Sequence, residues 1–241
     1  TVFNAEGSGA ALATVATLAT LSLVLPTFTT SELGPAFSPP QLVFAAVASL
    51  ALYGMFVLTQ TVRHRDFFLP VTSPRTIAEA EAAEHVTPPT TRAAMGSLAL
   101  LLIALVAVVG LAKVESPAIE AGVASAGFPQ SFVGVVIALL VLLPETLAAV
   151  RAARRDRVQI SLNLAFGSAM ASIGLTIPAI AIASHWLTGP LLLGLGPTQM
   201  VLLVLSIIVG VLTIVPGRAT RLQGGVHLVL LAAFLFLAIN P

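Results

Sequence analysis

Seven apolar stretches recur along the chain, at about 9–26, 41–61, 95–112, 129–150, 159–184, 197–215 and 222–239. None alternates apolar with polar residues, each contains internal Gly or Ala, and all are longer than buried strands. The pattern therefore predicts helices. Most approach the roughly 20 residues a helix needs to cross the hydrocarbon core of a bilayer. Pro26, Pro70, Pro190 and Pro216 mark span ends. Pro144 and Pro178 lie inside spans, where a residue without an N–H is expected to kink or break the helix.

Composition turns these helices into membrane spans. Apolar residues make up 57% of the 241 positions and charged residues 9%. A water-facing domain carries about 25% charged residues, so this chain could not cover a soluble surface. The absence of cysteine excludes disulfides and thiolate metal sites. No basic patch interleaved with aromatics points to nucleic acid; the expected surroundings are the lipid bilayer and small cations. The chain opens at Thr1 without the charged stretch and short apolar core of a signal peptide, and it reads as starting inside a longer protein.

The basic residues assign sides. Arg63, Arg65, Arg75 and Arg92 flank or occupy the connection 62–94, Arg151, Arg154, Arg155 and Arg157 the connection 151–158, and Arg218 and Arg221 the turn at 216–221. If all seven stretches cross, these connections share one face, and Lys113 alone lies opposite. The positive-inside rule makes the arginine face cytoplasmic. The N-terminus of this chain is then cytoplasmic and the C-terminus external, in a multi-pass protein of a bacterial inner membrane.

Organisation follows from the one long connection. Residues 62–94 form a cytoplasmic acidic linker whose segment IAEAEAAEH, Ile77 to His85, reads either as a short surface helix with a sensing role or as a solvated link between two halves. Residues 1–61 then hold the last two helices of a first repeat, and 95–241 a complete five-helix second repeat. A five-span unit repeated in tandem inverts, a common plan among secondary transporters. LSLVLP at 21–26 and LTIVP at 212–216 give a weak internal echo at the ends of oppositely directed spans.

Among ten acidic residues, Glu145 alone is expected well inside a span; the others read as loop or span-end residues. It lies about 20 Å beyond Phe132 and about 9 Å short of Arg151 at 1.5 Å per residue. A carboxylate at that depth must be neutral, paired or facing a hydrated cavity. Pro144 leaves a backbone carbonyl one turn earlier without its helical donor. A carboxylate beside freed carbonyls suits a hard cation; the alternative is an ion pair with Arg151 or Arg154 at the interface.

The next span adds hydroxyls. Ser161, Ser168, Ser172 and Thr176 advance by 7, 4 and 4 positions, which at about 100° per residue places them within an arc of about 80°. Such hydroxyls often bond to carbonyls or join helices; next to an intramembrane carboxylate they read as a cation path. Asn163, Gly167, Met170 and Gly174 fall on the opposite face, with Gly167 and Gly174 expected to admit close helix packing.

The block GVVIALLVLLPETLAAVRAARRDRVQISLNLAFGSAMASIGLTIP, Gly134 to Pro178, resembles the second α-repeat of the calcium/cation antiporter superfamily, and within it the bacterial ChaA-type calcium/proton antiporters. We place that repeat at 128–180. FTTSELGP at 28–35 and QTVRHRDFFLP at 60–70 resemble the middle region of the same family. The pairing of PE on one helix with GS on the next carries the likeness. It implies an all-α, inverted-repeat exchanger fold in which each of two antiparallel α-repeats contributes one glutamate to a shared mid-membrane site. By that resemblance Glu145 is the second-repeat glutamate and Ser168 a nearby oxygen ligand, with Ser172 further along the stripe. Many relatives carry Gln where this chain has Ala171, which loosens the expected calcium selectivity. A first α-repeat with its own glutamate is not found in this chain and is needed to complete the site.

The expected function is exchange of cytoplasmic Ca²⁺ for external H⁺, both competing for Glu145. No resident cofactor is implied, since Ca²⁺ and H⁺ are cargo. Pro144 and Pro178 are the expected flexible points of alternating access. Exchange of Na⁺ or K⁺ for H⁺ on the same fold is the alternative. Two readings of other classes are a structural membrane subunit and an intramembrane hydrolase built on Ser206 and His227, which would need hydrogen-bond reach and oxyanion donors.

Overall fold

The computed structural model describes residues 2–69, 89–186, 189 and 191–240. Segment 77–85, read above as an acidic surface helix or link, lies outside the described residues. Among the described residues, seven helices are long and apolar enough to cross a membrane. They are α1 (Ala5–Phe28), α2 (Pro39–Arg63), α3 (Thr91–Ser125), α4 (Phe132–Arg154), α5 (Val158–Ala183), α6 (Pro197–Ile214) and α7 (Arg221–Ile239). The described residues form no extended strand beyond isolated bridges. The protein is an all-α, multi-pass membrane protein.

Two compact units divide the chain. One comprises residues 1–71 and 143–234, the other residues 72–142 and 235–241. In the first, α5 lies against α1 and α2, and α6 lies against α1. Leu18 and Met170 are fully buried in a cluster with Ala11, Phe56 and Phe68, while Phe3, Leu12 and Ile214 form a second cluster and Ala45, Ala46 and Ile177 a third. Small residues at these contacts let the backbones approach closely, the usual basis of helix association where lipid supplies no hydrophobic drive.

Local sequence explains the helix ends. The Asn4 side chain caps α1 by accepting from the N–H groups of Glu6 and Gly7. Ser38 and Gln41 form a capping box at the start of α2, followed by Pro39. The interruptions, however, do not occur at the prolines expected to cause them. Both α4 and α5 run unbroken through Pro144 and Pro178, each proline removing one ladder hydrogen bond without ending its helix. Instead α1 widens into a π turn at Thr20–Val24 just before Pro26, and α2 does so at Thr59–Arg63. The widened turn of α1 leaves the Leu23 carbonyl to accept from Leu195 N–H at 2.8 Å, and Thr27 Oγ1 donates to the Leu195 carbonyl at 2.9 Å.

These connections define two ends of the unit. At one, Phe3 N–H donates to the Gly217 carbonyl at 3.0 Å, which places the start of α1 beside the α6–α7 turn and its Arg218. At the other, Leu193 and Gly194 both donate to the Pro35 carbonyl, joining the α1–α2 and α5–α6 connections.

The second unit contains α3 and the first turns of α4. The apolar run expected to end at 112 continues as helix to Ser125, so Lys113, Glu115 and Glu120 are helical rather than loop residues. The helix continues even through Pro117 and Gly122, and Gly127 stops it. With φ at +75°, Gly127 donates to Ala124 O while Phe128 N–H reaches Val123 O, a Schellman cap that requires the left-handed conformation.

Candidate functional site

The site is built on two helices. In α5 the residues Gln159, Met170, Gly174 and Ile177 are buried, and they recur at helical spacing on the face turned to α1 and α2. The hydroxyl stripe faces away: Ser161 and Ser168 are half-buried, Ser172 and Thr176 exposed. The packed face thus leaves the hydroxyls available for other partners.

The two glycines of α5 differ. A Cβ on Gly174 would lie 2.9 Å from Tyr53 Cβ and 3.6 Å from the Ser49 carbonyl, so the close approach of α2 requires glycine there. A Cβ on Gly167 would meet nothing within 4 Å. The expectation of close packing at Gly167 is corrected accordingly: seven residues from Gly174 it lies on nearly the same side of α5, but two turns along the axis no described neighbour comes within 4 Å of it.

Glu145 lies in α4, directly after Pro144, and is half-buried. Its Oε2 is buried and has no hydrogen-bond partner. A buried carboxylate oxygen without a partner is costly, and no described protein group offsets that cost at Oε2. The structure does not link Glu145 Oε2 to Ser168 or Ser172; the helices lying along α5 are α1 and α2. Among the described residues no three His, Cys, Asp or Glu side chains converge on one point. A cation at Glu145 would therefore complete its shell with hydroxyl, carbonyl or water oxygens, donors that suit hard cations.

The hydrolase reading finds no support in the geometry. His227 Nε2 is 3.1 Å from Thr213 Oγ1, and that hydroxyl bonds to the Val209 carbonyl at 2.8 Å. Ser206 and His227 both line a cleft of about 390 Å³, otherwise walled by leucines, Gln199 and Phe234, but the partner of the imidazole is Thr213.

Two polar arrangements escaped the sequence reading. Ser22 and Ser49, both fully buried, share a hydrogen bond between α1 and α2. Gln159 and Asn163 form a buried amide chain at the start of α5. The detectable signal for the second was a pair of amides one turn apart at the mouth of an apolar span; for the first there was none, since lone serines in spans are common.

The family model described as sodium/calcium exchanger protein matches residues 96–240. The chain is 45% identical over 239 residues to y4hA of Sinorhizobium fredii, provisionally named an ionic transporter, covering 99% of this chain and 63% of that protein. It is 33% identical over 199 residues to the sodium-potassium/proton antiporter ChaA of Escherichia coli, covering 83% of this chain and 54% of that protein. The chain thus spans between about half and two thirds of the length of these curated relatives. No solved structure matches it. The relatives are named as transporters rather than enzymes, and with the family model matched over more than half its length, the chain belongs to the sodium/calcium exchanger protein family.

Proposed function

We propose that this protein is part of a secondary transporter that exchanges a cytoplasmic cation for external protons, with Glu145 as the group both ions occupy. The observation that carries this reading is the buried, unpartnered Glu145 Oε2 inside an apolar helix. An oxygen with no protein partner offers one position that a proton or a cation can take, and one displaces the other. Ser168 and Ser172 supply hydroxyl oxygens along the path, and a first α-repeat outside this chain supplies the second carboxylate. Pro144 and Pro178, each removing a ladder hydrogen bond, are points where the helices bend during alternating access. The arginine-bearing end faces the cytoplasm of a bacterial inner membrane.

Ca²⁺ is the first cation proposed, because two carboxylates with several hydroxyl and carbonyl oxygens form a hard, charged cage. Na⁺ or K⁺ is the second, favoured by Ala171, which brings no side-chain oxygen, and by the named ions of the Escherichia coli relative. The test is cation-dependent proton release from everted vesicles bearing the full-length protein, compared across Ca²⁺, Na⁺ and K⁺. Glu145→Gln should reduce it by about 100-fold or more, as for a group that engages the transported ion directly. Retention of pH-driven flux in Glu145→Gln would overturn the reading.

A further inference from the structure

At the arginine-bearing end of the first unit, a chain of amides runs through otherwise apolar packing. Gln159 is 2% exposed. Its Oε1 accepts from the backbone N–H of Asn4 at 2.7 Å. Its Nε2 donates to Asn163 Oδ1 at 2.9 Å and to Ser8 Oγ at 3.4 Å. Asn163 Nδ2 then donates to the backbone carbonyl of Phe68 at 2.6 Å. Three separate segments are joined: the first turn of α1, the first turns of α5, and the residues just beyond α2.

The direction of this chain is forced. Asn4 N–H can only donate and the Phe68 carbonyl can only accept, so each amide must present oxygen toward Asn4 and nitrogen toward Phe68. Rotating either amide by half a turn would set two acceptors or two donors face to face. A series of bonds with both ends fixed admits one register, and in low-dielectric surroundings the bonds polarise one another. The backbones are pressed together at the same place: a Cβ on Gly7 of α1 would overlap the Phe67 carbonyl.

We infer that Gln159 and Asn163 are positioning residues that set the rotation and height of α5, and through it the placement of Ser168. This rests on the proposal that Ser168 lies on the cation path. Because α5 is unbroken from Val158 to Ala183, a slide or turn of its first residues passes to Ser168, about 7.5 Å further along the axis than Asn163.

The test uses the full-length protein in proteoliposomes, with Gln159→Leu, Asn163→Leu, the double variant and Ser168→Ala. Asn163→Asp, which keeps side-chain volume and sets a carboxylate against the Phe68 carbonyl, serves where a leucine variant fails to fold. Each clamp variant should raise the apparent KM for the cation about tenfold, as loss of residues that orient ligands does, with the maximal rate within about twofold of the parent. The double variant should match the singles, since either break opens the same chain. A geometric readout accompanies the kinetics. This chain has no cysteine, so Ser168→Cys can be labelled selectively within it by a water-soluble thiol reagent, and Gln159→Leu should change the labelling rate several-fold. Unchanged labelling, or unchanged KM where Ser168→Ala raises it, overturns the inference. An unchanged KM in Ser168→Ala, with labelling shifted by Gln159→Leu, would instead sink the placement of Ser168 on the cation path while leaving α5 positioned by the clamp.

Discussion

Ser22 of α1 and Ser49 of α2, both without solvent exposure, face each other with their hydroxyl oxygens 3.2 Å apart. Beside them the Ser49 carbonyl and the Tyr53 side chain close on Gly174 of α5, so the three helices meet at one small, partly polar contact. Interhelical hydroxyl bonds in membranes contribute about 0.6 kcal/mol on average and about 1.7 at most. Ser22→Ala and Ser49→Ala are each expected to lower stability by amounts in that range, and the double variant by no more than the larger single. Thermal unfolding in detergent measures this; strict additivity would show that the two hydroxyls do not act as a pair.

Gly174 and Gly167 are seven residues apart on one helix and should respond oppositely. Gly174→Val drives a side chain into Tyr53, and overpacking of this kind costs about 1–3 kcal/mol. Gly167→Ala meets no described neighbour and gains helix propensity of up to about 1 kcal/mol. Melting temperatures of the two variants, compared in the same detergent, check the contrast.

Competition at Glu145 predicts a pH-dependent affinity. If one proton must leave before the cation binds, apparent cation affinity falls as pH drops, because liganding groups must be deprotonated. Initial exchange rates at several cation concentrations and pH values give the slope. A KM independent of pH between 5 and 9 would separate proton binding from cation binding.

Ser206→Ala should leave exchange unchanged. His227 is held by Thr213 rather than Ser206, so Thr213→Val is the substitution expected to matter. It removes the acceptor of a half-buried imidazole and should cost about 1–3 kcal/mol. Parallel measurements of vesicle exchange and thermal stability distinguish the two positions.

Much of the architecture was legible in the order of residues, for physical reasons. Lipid requires every spanning segment to satisfy its own backbone, so length and apolar content alone mark the helices; all seven expected spans are present. The structure also sets the start of α1 and the α6–α7 turn at one end of the first unit, with Phe3 bonded to Gly217, as expected of two segments on one face. Family membership was legible too, from the PE and GS pairs spaced across Glu145 and Ser168.

Helix interruptions were not legible. A proline reports a missing donor, and whether the helix then opens depends on what packs around it. Pro144 and Pro178 stay within continuous helices, whereas α1 opens at Thr20–Val24, where Leu195 N–H takes up the Leu23 carbonyl from a connection about 170 residues away in sequence. The extent of α3 was also hidden, since hydropathy marks where lipid contact ends and Lys113 to Ser125 can remain helical in water.

By itself, then, the sequence determined the solvent, the spans, the family and the placement of Glu145 within the apolar helix α4, because each depends on local chemistry summed over a stretch of chain. Tertiary structure decided which face of α5 is packed and which hydroxyls are left over. It also decided that Gly174 rather than Gly167 takes the close contact, and that Gln159 and Asn163 bind three segments into one register. Those choices depend on atoms brought together from residues 4, 8, 68, 159 and 163, and no periodicity along the chain encodes a hydrogen bond whose ends are that far apart.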